Sequence, residues 1–241
     1  MRSSARSGVL AGAAAALAAP APAPPPATVK VQQLVVQKGG KARQAAVRAR
    51  TTHVTVHGDS CKVPSATALA ALALSGVPKL RLHDYGSCSD RARDAGGLFV
   101  RALGGDRNKG NDGWVYKVGN RLATAGAADP TGPFGHGRLK KGQHVTWFYC
   151  HLNVAKHSCQ STLGLTADTG QDETIHVHVN AYDDRGQGKP AAGATVHAGA
   201  THQRTDDNGD ADLIVPPGRY LVYAEKHGAV RTFGESVDVA S

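Results

Sequence analysis

The chain is short of several residue types, and each shortage limits what the protein can be. Its 241 residues include only 4 Phe, 2 Trp and 6 Tyr, and its 19 acidic residues are outnumbered by 28 lysines and arginines. Long apolar runs are also missing: the uncharged stretch at 8–19 is shorter than the roughly 20 residues that span a bilayer. With 41% hydrophobic and 20% charged residues, the composition still permits packed cores and argues against wholesale disorder.

Motifs for catalysis are missing as well. The sequence has no G-x-S-x-G for a serine nucleophile and no H-E-x-x-H for a zinc hydrolase. The Gly-rich stretch 104–113 lacks the Lys-Ser/Thr of a phosphate loop, and TDDNGDAD at 205–212 lacks the spacing of an EF-hand and is interpreted as a turn. Twelve histidines are present, the densest group being His176 and His178, with His197 and His202 further along. Nothing in their spacing indicates convergence, so we predict no metal, no cofactor and no enzymatic activity.

The N-terminus predicts export. Residues 1–19 combine two arginines with the short apolar stretch and small residues at the cleavage spacing, as in a signal peptide cut at about 18–27. Residues 20–51 are Pro-rich and then basic, and we interpret them as a linker. In an exported chain such a basic segment favours anionic cell-wall polymers or lipid head groups over nucleic acid, the alternative being a merely solvated arm. We therefore expect a secreted, extracellular protein associated with the cell wall, with no transmembrane segment in the mature chain.

Four cysteines, Cys61, Cys88, Cys150 and Cys159, favour two disulfides in an exported protein. Their spacing is not that of a zinc ribbon. Three connectivities are possible, and we favour Cys61–Cys88 together with Cys150–Cys159, the second of which closes a short loop.

Periodicity divides the remaining chain into two domains. Residues 52–150 contain several alternating stretches and one helical stretch, SATALAALALSG, with Ser65 as a possible N-cap and Gly76 as its end. Residues 151–172 break the periodicity and are interpreted as a linker, and 173–241 contain short strands at close spacing, as in an antiparallel sandwich. The predicted class is α+β: a small domain with one helix, followed by an all-β sandwich.

Two family resemblances fit this division. The order of SATALAALALSG, LFVRALGG, DGWVYKVGN and LKKGQHVTWFY resembles the transcobalamin-like C-terminal domain of bacterial secreted proteins, which implies a β-grasp-like fold. The turns around 119–120 and 142–143 depart from that family's pattern, and cobalamin binding is not implied by one such module. The stretches GKPAAGATVHAG and TDDNGDADLIVPPGRYLVYAEKHG resemble the carboxypeptidase-regulatory-like, or transthyretin-like, sandwich, which implies an accessory domain of immunoglobulin-like architecture.

The few aromatic residues concentrate in two of the predicted strands. GWVYKV places Trp114 and Tyr116 on one face, and HVTWFYC places Trp147 and Tyr149 on one face. The Gly119-Asn120 pair suits a tight turn whose first central residue has a positive φ. The four aromatic side chains are the candidate ligand-binding residues, and core packing is the alternative.

The predicted function is non-enzymatic binding or presentation at the bacterial cell exterior, with an unknown ligand. A second hypothesis is a soluble carrier of a small molecule, cobalamin-like or other, that uses the aromatic strand. A third is a secreted metallo-hydrolase that uses the histidines and acids. The sequence sets neither the ligand nor the oligomeric state.

Overall fold

The computed structural model describes residues 28–86, 97–170 and 173–240. Within these residues 52% lie in strands and 4% in helix, arranged in five sheets with one helix. The predicted α+β class, with a β-grasp-like first domain, is therefore wrong: the described part of the protein is nearly all-β. The helical stretch is too short to set the class, since most of the other patterned stretches form strands. The predicted signal peptide, 1–19, lies outside the described residues.

Residues 28–150 form the first unit, whose core surrounds the helix and one face of its largest sheet. Its elements are β1 Val29–Val36, β2 Ala42–Ala49, β3 Thr52–Val56, β4 Asp59–Val63, α1 Ala68–Leu74, β5 Arg81–Asp84, β6 Leu98–Leu103, β7 Asp106–Arg107, β8 Gly113–Val118, β9 Arg121–Leu122 and β10 His144–Cys150.

The largest sheet has the strand order β2-β1-β10-β8-β9. Its central pair, β1 and β10, is parallel, and β8 runs antiparallel to β10. The turn between β8 and β9 has Gly119 at φ +57°, which confirms the predicted Gly-Asn turn. Two smaller sheets, β3-β4 and β5-β6-β7, complete the unit.

Strands β1 and β2 lie inside the predicted linker 20–51, from Val29 onward, and belong to the largest sheet. Along β2, Val47 and Ala49 are buried whereas Arg43 and Arg48 are exposed. Two of the basic residues that made this segment resemble a linker, Arg43 and Arg48, are thus exposed side chains of an edge strand. Charged side chains at a sheet edge oppose pairing with other chains.

The N-cap of helix α1 lies two residues later than predicted. Thr67, not Ser65, is the N-cap, and its Oγ1 accepts a hydrogen bond from the backbone N–H of Ala70 at 3.2 Å. The helix ends at Leu74 with Ser75 as its C-cap, and Gly76 follows with φ +67°, a conformation that favours glycine. The buried residues Leu69 and Leu72 attach the helix to the core of the first unit.

The second unit is a β-sandwich-like pair of sheets, as predicted for the C-terminal region. It begins earlier than predicted, because β11 lies inside the expected linker 151–172. The strands are β11 Thr162–Thr169, β12 Thr174–Tyr182, β13 Gly188–Pro190, β14 Thr195–Ala198, β15 Thr201–Arg204, β16 Asp210–Ile214, β17 Gly218–Glu225 and β18 Glu235–Val239. One sheet contains β11, β12, β13 and β16, and the other has the order β15-β14-β17-β18.

The two units meet across the second face of the largest sheet. Leu34 and Phe148 pack there against Val230 of the sandwich. Gln44 and Gly234 exchange two hydrogen bonds, of 2.9 and 2.7 Å. The middle of β10 is therefore buried on both faces, which explains why VTWFYC is almost continuously apolar.

Lys117 is the most deeply buried charge in this interface, with a fully inaccessible side chain. Its Nζ donates to the hydroxyl of Thr162 at 3.1 Å and to the carbonyls of Tyr182 and Asp183 at 3.1 and 2.7 Å. A carboxylate oxygen of Asp184 lies 3.7 Å away. Burial lowers the pKa of Lys117, and the carboxylates of Asp184 and Asp183 oppose this effect.

The predicted Cys150–Cys159 disulfide is confirmed, and it joins the end of β10 to the segment that leads into β11. Cys61 is not a free thiol, and its predicted partner, Cys88, lies outside the described residues. Among helices within the described ranges, none is long and apolar enough to cross a membrane.

Candidate functional site: an aromatic cavity in the first unit

The four predicted aromatic residues lie together on one face of the largest sheet. Trp147 is directly opposite Tyr116, and Tyr149 is directly opposite Trp114. The first pair is stacked with ring centroids 4.9 Å apart, and the second is edge-to-face at 5.9 Å. All four side chains are buried, so they contribute to the core as the alternative interpretation required.

Hydrogen bonding distinguishes one of these residues from the other three. The indole N–H of Trp114 donates to the carbonyl of Asp106, and the hydroxyls of Tyr116 and Tyr149 donate to the carbonyls of Ala125 and Arg107, each at 3.0 Å. The Nε1 of Trp147 is buried and has no partner among the described residues. A buried donor without an acceptor costs about 1–3 kcal/mol, so this indole requires an explanation.

A cavity of about 350 Å³ adjoins these rings, and we call it the aromatic cavity. Trp114, Tyr116 and Trp147 line one side of it. The lining also includes Val100 of β6 and small side chains that follow β9, such as Ala123. A mostly apolar space of this size is in the range of small-molecule sites.

Two exposed aromatic residues stand at the cavity and were not predicted as site residues. Tyr85 and Phe99 are 75% and 43% exposed, with ring centroids 6.1 Å apart, and both line the cavity. His83 continues this row, with its ring 4.3 Å from that of Tyr85. Sequence reasoning missed them because LRLHDY contains only one Tyr and LFVRALGG contains only one Phe. The two rings come together only because β5 pairs with β6.

A larger and more polar groove of about 710 Å³ shares Tyr85, Phe99 and Trp114 with the aromatic cavity. Arg101 and His157 supply polar side chains to its lining. A molecule with a ring in the aromatic cavity could therefore extend a polar group into this groove.

Burial also affects the chemistry of Tyr116. It raises the pKa of the phenol far above its usual value, and the carboxylate of Asp129 acts in the same direction. Tyr116 therefore stays protonated at neutral pH and keeps its bond to Ala125. The cavity provides apolar surface and ring faces, which suit binding, and one of its lining residues, Trp147, has an N–H donor without a partner among the described residues.

The predicted histidine group does not converge. His176 pairs with Asp212 at 2.7 Å and His178 with Asp210 at 2.6 Å, each across neighbouring strands β12 and β16. His197 and His202 face each other on the other sheet of the sandwich. Within residues 28–86, 97–170 and 173–240, no group of three or more His, Cys, Asp or Glu side chains could hold a metal ion.

The acidic stretch 205–212 forms a turn around 206–209, as interpreted from its sequence, and then enters β16. A carboxylate oxygen of Asp206 accepts hydrogen bonds from the backbone N–H groups of Asn208 and Asp210, both at 2.9 Å. These bonds lower the pKa of Asp206, the bond from Asp210 having the largest effect. Gly209 follows at φ +83° against neighbouring backbone, where a side chain would not fit.

The chain matches no family model, no curated protein and no solved structure. The resemblances to the transcobalamin-like and transthyretin-like families therefore stay predictions. Function has to be argued from the site itself.

Proposed function

We propose that the protein binds a small, flat, apolar molecule that carries a hydrogen-bond acceptor, and that the aromatic cavity holds it. The observation that carries this proposal is the Nε1–H of Trp147, a buried donor without a partner on a residue that lines the cavity. A ligand acceptor at this donor would replace the missing hydrogen bond. The apolar walls would bind the ring by removing its surface from water.

The exposed aromatic residues support the same ligand class. Tyr85 and Phe99 present ring faces to solvent beside the cavity, and a flat molecule gains contact with such faces as well as with the interior. Exposed apolar groups that adjoin an apolar pocket are typical of binding sites.

This proposal favours the carrier hypothesis over presentation alone. The sandwich then acts as an accessory unit, buried against the first unit through Lys117 and Phe148. The proposal also includes export and association with the cell wall, which are supported by the signal-like residues 1–19 and by the basic segment that follows. The metallo-hydrolase hypothesis is not favoured by the histidines, since His176 pairs with Asp212 and His178 pairs with Asp210 on the neighbouring strand.

The test compares quinoline with naphthalene, two probes of the same shape of which only quinoline has an acceptor nitrogen. Dissociation constants for both are measured by calorimetry on the wild-type protein and on Trp147→Phe. We expect the preference for quinoline relative to naphthalene to fall by about fivefold in Trp147→Phe, the value of one neutral hydrogen bond. An unchanged ratio would contradict the role of the Trp147 donor.

A second pair of variants tests the cavity itself. Ala123→Leu adds volume at the cavity wall, whereas Ala45→Leu adds the same volume at another partly buried alanine that packs against the same core away from the cavity. We expect Ala123→Leu to abolish binding of both probes and Ala45→Leu to retain it. Equal binding by Ala123→Leu and wild type, with both folded by circular dichroism, would overturn the proposed site.

A further inference from the structure

A second concave region lies at the junction of the two units, and it is distinct from the aromatic cavity. It encloses about 470 Å³ and is lined by Val36 and Gly40 of the first unit and by Arg204, Lys226 and Arg231 of the sandwich. We call it the cationic groove. Gly40 belongs to the turn between β1 and β2, a turn that also carries Lys38 and Lys41 of the basic segment.

Arg231 is the unusual member of this groove. Its guanidinium is partly buried and lies 3.9 Å from the centroid of the Tyr223 ring. Burial lowers the pKa of Arg231, while the phenol of Tyr223 and the carboxylate of Glu225 oppose that effect. No carboxylate of a described residue lies within ion-pair distance of Arg231, and its Nε donates only to the carbonyl of Thr232, at 3.3 Å.

The one carboxylate among the groove residues has another partner. An oxygen of Glu225 lies 3.2 Å from the Nε2 of His197. Three cationic side chains therefore share the groove with one carboxylate, which leaves an excess of positive charge even though Glu225 partly compensates Arg231. A partly desolvated cation is costly unless an anion compensates it, so a further anion would be stabilised in this groove.

The other two cations are held in position by their surroundings. The Nζ of Lys226 donates to the carbonyl of Ala192 at 2.6 Å, which leaves two of its N–H groups available. Arg204, Thr195 and Glu225 stand opposite one another on β15, β14 and β17. The register of this sheet thus brings together residues of the groove that are far apart in the sequence.

We infer that the cationic groove binds an oxyanion, such as the phosphate or carboxylate group of an anionic ligand. Arginine presents a planar fork of N–H donors that matches the oxygens of these groups, and lysine adds a point charge. The basic segment predicts an anionic polymer as a partner, and the cationic groove is a site where such a polymer would bind. This inference does not depend on the aromatic cavity.

The experiment is a titration with inorganic phosphate, and separately with acetate, at constant ionic strength maintained with sodium chloride. Backbone amide signals of Gly193, Ala229 and Arg231 are followed by ¹H–¹⁵N NMR. We expect saturable shifts in the wild type, and binding about tenfold weaker in Arg231→Gln, as for loss of one charge-assisted hydrogen bond. The matched control is Arg185→Gln, an exposed arginine of the same unit outside the groove, which should change affinity by less than about twofold.

Further variants separate ligand binding from folding. Lys226→Gln removes an exposed charge and should also weaken binding, and Arg231→Lys should recover it only in part because lysine lacks the planar fork. Shifts that grow linearly without saturation, or equal affinities in wild type and in both glutamine variants of the groove, would overturn the inference. Linear polyphosphate distinguishes the sources of the anion: tighter binding per phosphate than inorganic phosphate indicates a polymer, and equal binding indicates a free anion.

Discussion

The two units differ most in what fills their cores. The core of the first unit contains Trp114, Tyr116, Trp147 and Tyr149, and next to these large rings a cavity of about 350 Å³ remains. The buried members of the sandwich core, within the described residues, are all Val, Ile, Leu or Ala. Small aliphatic side chains on facing sheets can interdigitate closely, whereas four large rigid rings on two adjacent strands leave space beside them.

This difference indicates a division of roles. A cavity and an unpaired N–H both lower the free energy of unfolding. Such local losses of stability are typical of functional sites. The buried members of the sandwich core that the structure describes are aliphatic and have no polar side-chain atom to satisfy. We therefore place the proposed binding of an apolar ligand in the first unit rather than in the core of the sandwich.

The largest effect is expected where the two units meet. Lys117→Ala removes the ammonium and leaves the carbonyls of Tyr182 and Asp183 and the carboxylate of Asp184 without their buried donor. We expect the free energy of unfolding to fall by about 3–5 kcal/mol, measured by urea denaturation. Lys189→Ala, at an exposed lysine of the sandwich, serves as the control and should change it by less than about 0.5 kcal/mol.

A loss as small in Lys117→Ala as in the control would show that the units do not depend on this contact. The comparison of the two cores would then concern two independent domains.

An intermediate effect is expected when the same substitution is made in each core. Ala194 is fully buried in the sandwich, and Ala194→Leu should destabilise the protein by about 1–3 kcal/mol through overpacking. Ala123→Leu adds its methyl groups at the aromatic cavity and should cost less than about 0.5 kcal/mol. Thermal unfolding of both variants measures the difference, and equal losses would contradict the view that only the first core has spare volume.

The smallest effect concerns Tyr116 at high pH. Because burial raises its pKa, the unfolded chain loses the phenolic proton first, so the contribution of Tyr116 to stability is complete below about pH 10 and is lost as the pH rises further. The free energy of unfolding should therefore fall less steeply above pH 10 in Tyr116→Phe than in the wild type. At neutral pH this variant should lose about 1 kcal/mol with its bond to Ala125.

Tyr85→Phe is the control for this pH dependence, since Tyr85 is mostly exposed. Its stability profile should follow that of the wild type. Identical alkaline slopes for Tyr116→Phe and wild type would show that the Tyr116 phenol does not resist ionisation.

Local patterns predicted much of this structure. The alternation in GWVYKV and TIHVHVNAY identified β8 and β12, and the Gly119 turn followed from the conformational freedom of glycine. The basic composition around β2 hid an edge strand, because a linker and the outward face of a strand can have the same residues. The α+β prediction gave too much weight to one helix of seven residues.

The site was less predictable because it depends on packing over long distances. The sequence identified Trp147 but could not show that its N–H lacks a partner, since this depends on where every nearby carbonyl lies. Lys117 alternates with apolar neighbours and therefore looks like a solvent-facing residue of β8. It is buried because the sandwich, more than forty residues later in the chain, covers that face of the sheet.

The central claim, that the aromatic cavity supplies a free indole N–H to a ligand, can be tested on a single NMR signal. The protein has 2 tryptophans, and Trp114 is an internal control because its indole N–H already donates to Asp106. On titration with quinoline, we predict a large, saturable downfield shift of the indole proton of Trp147, identified by its loss in Trp147→Phe, and a small shift for Trp114. An unmoved Trp147 indole signal at saturating quinoline would contradict the account.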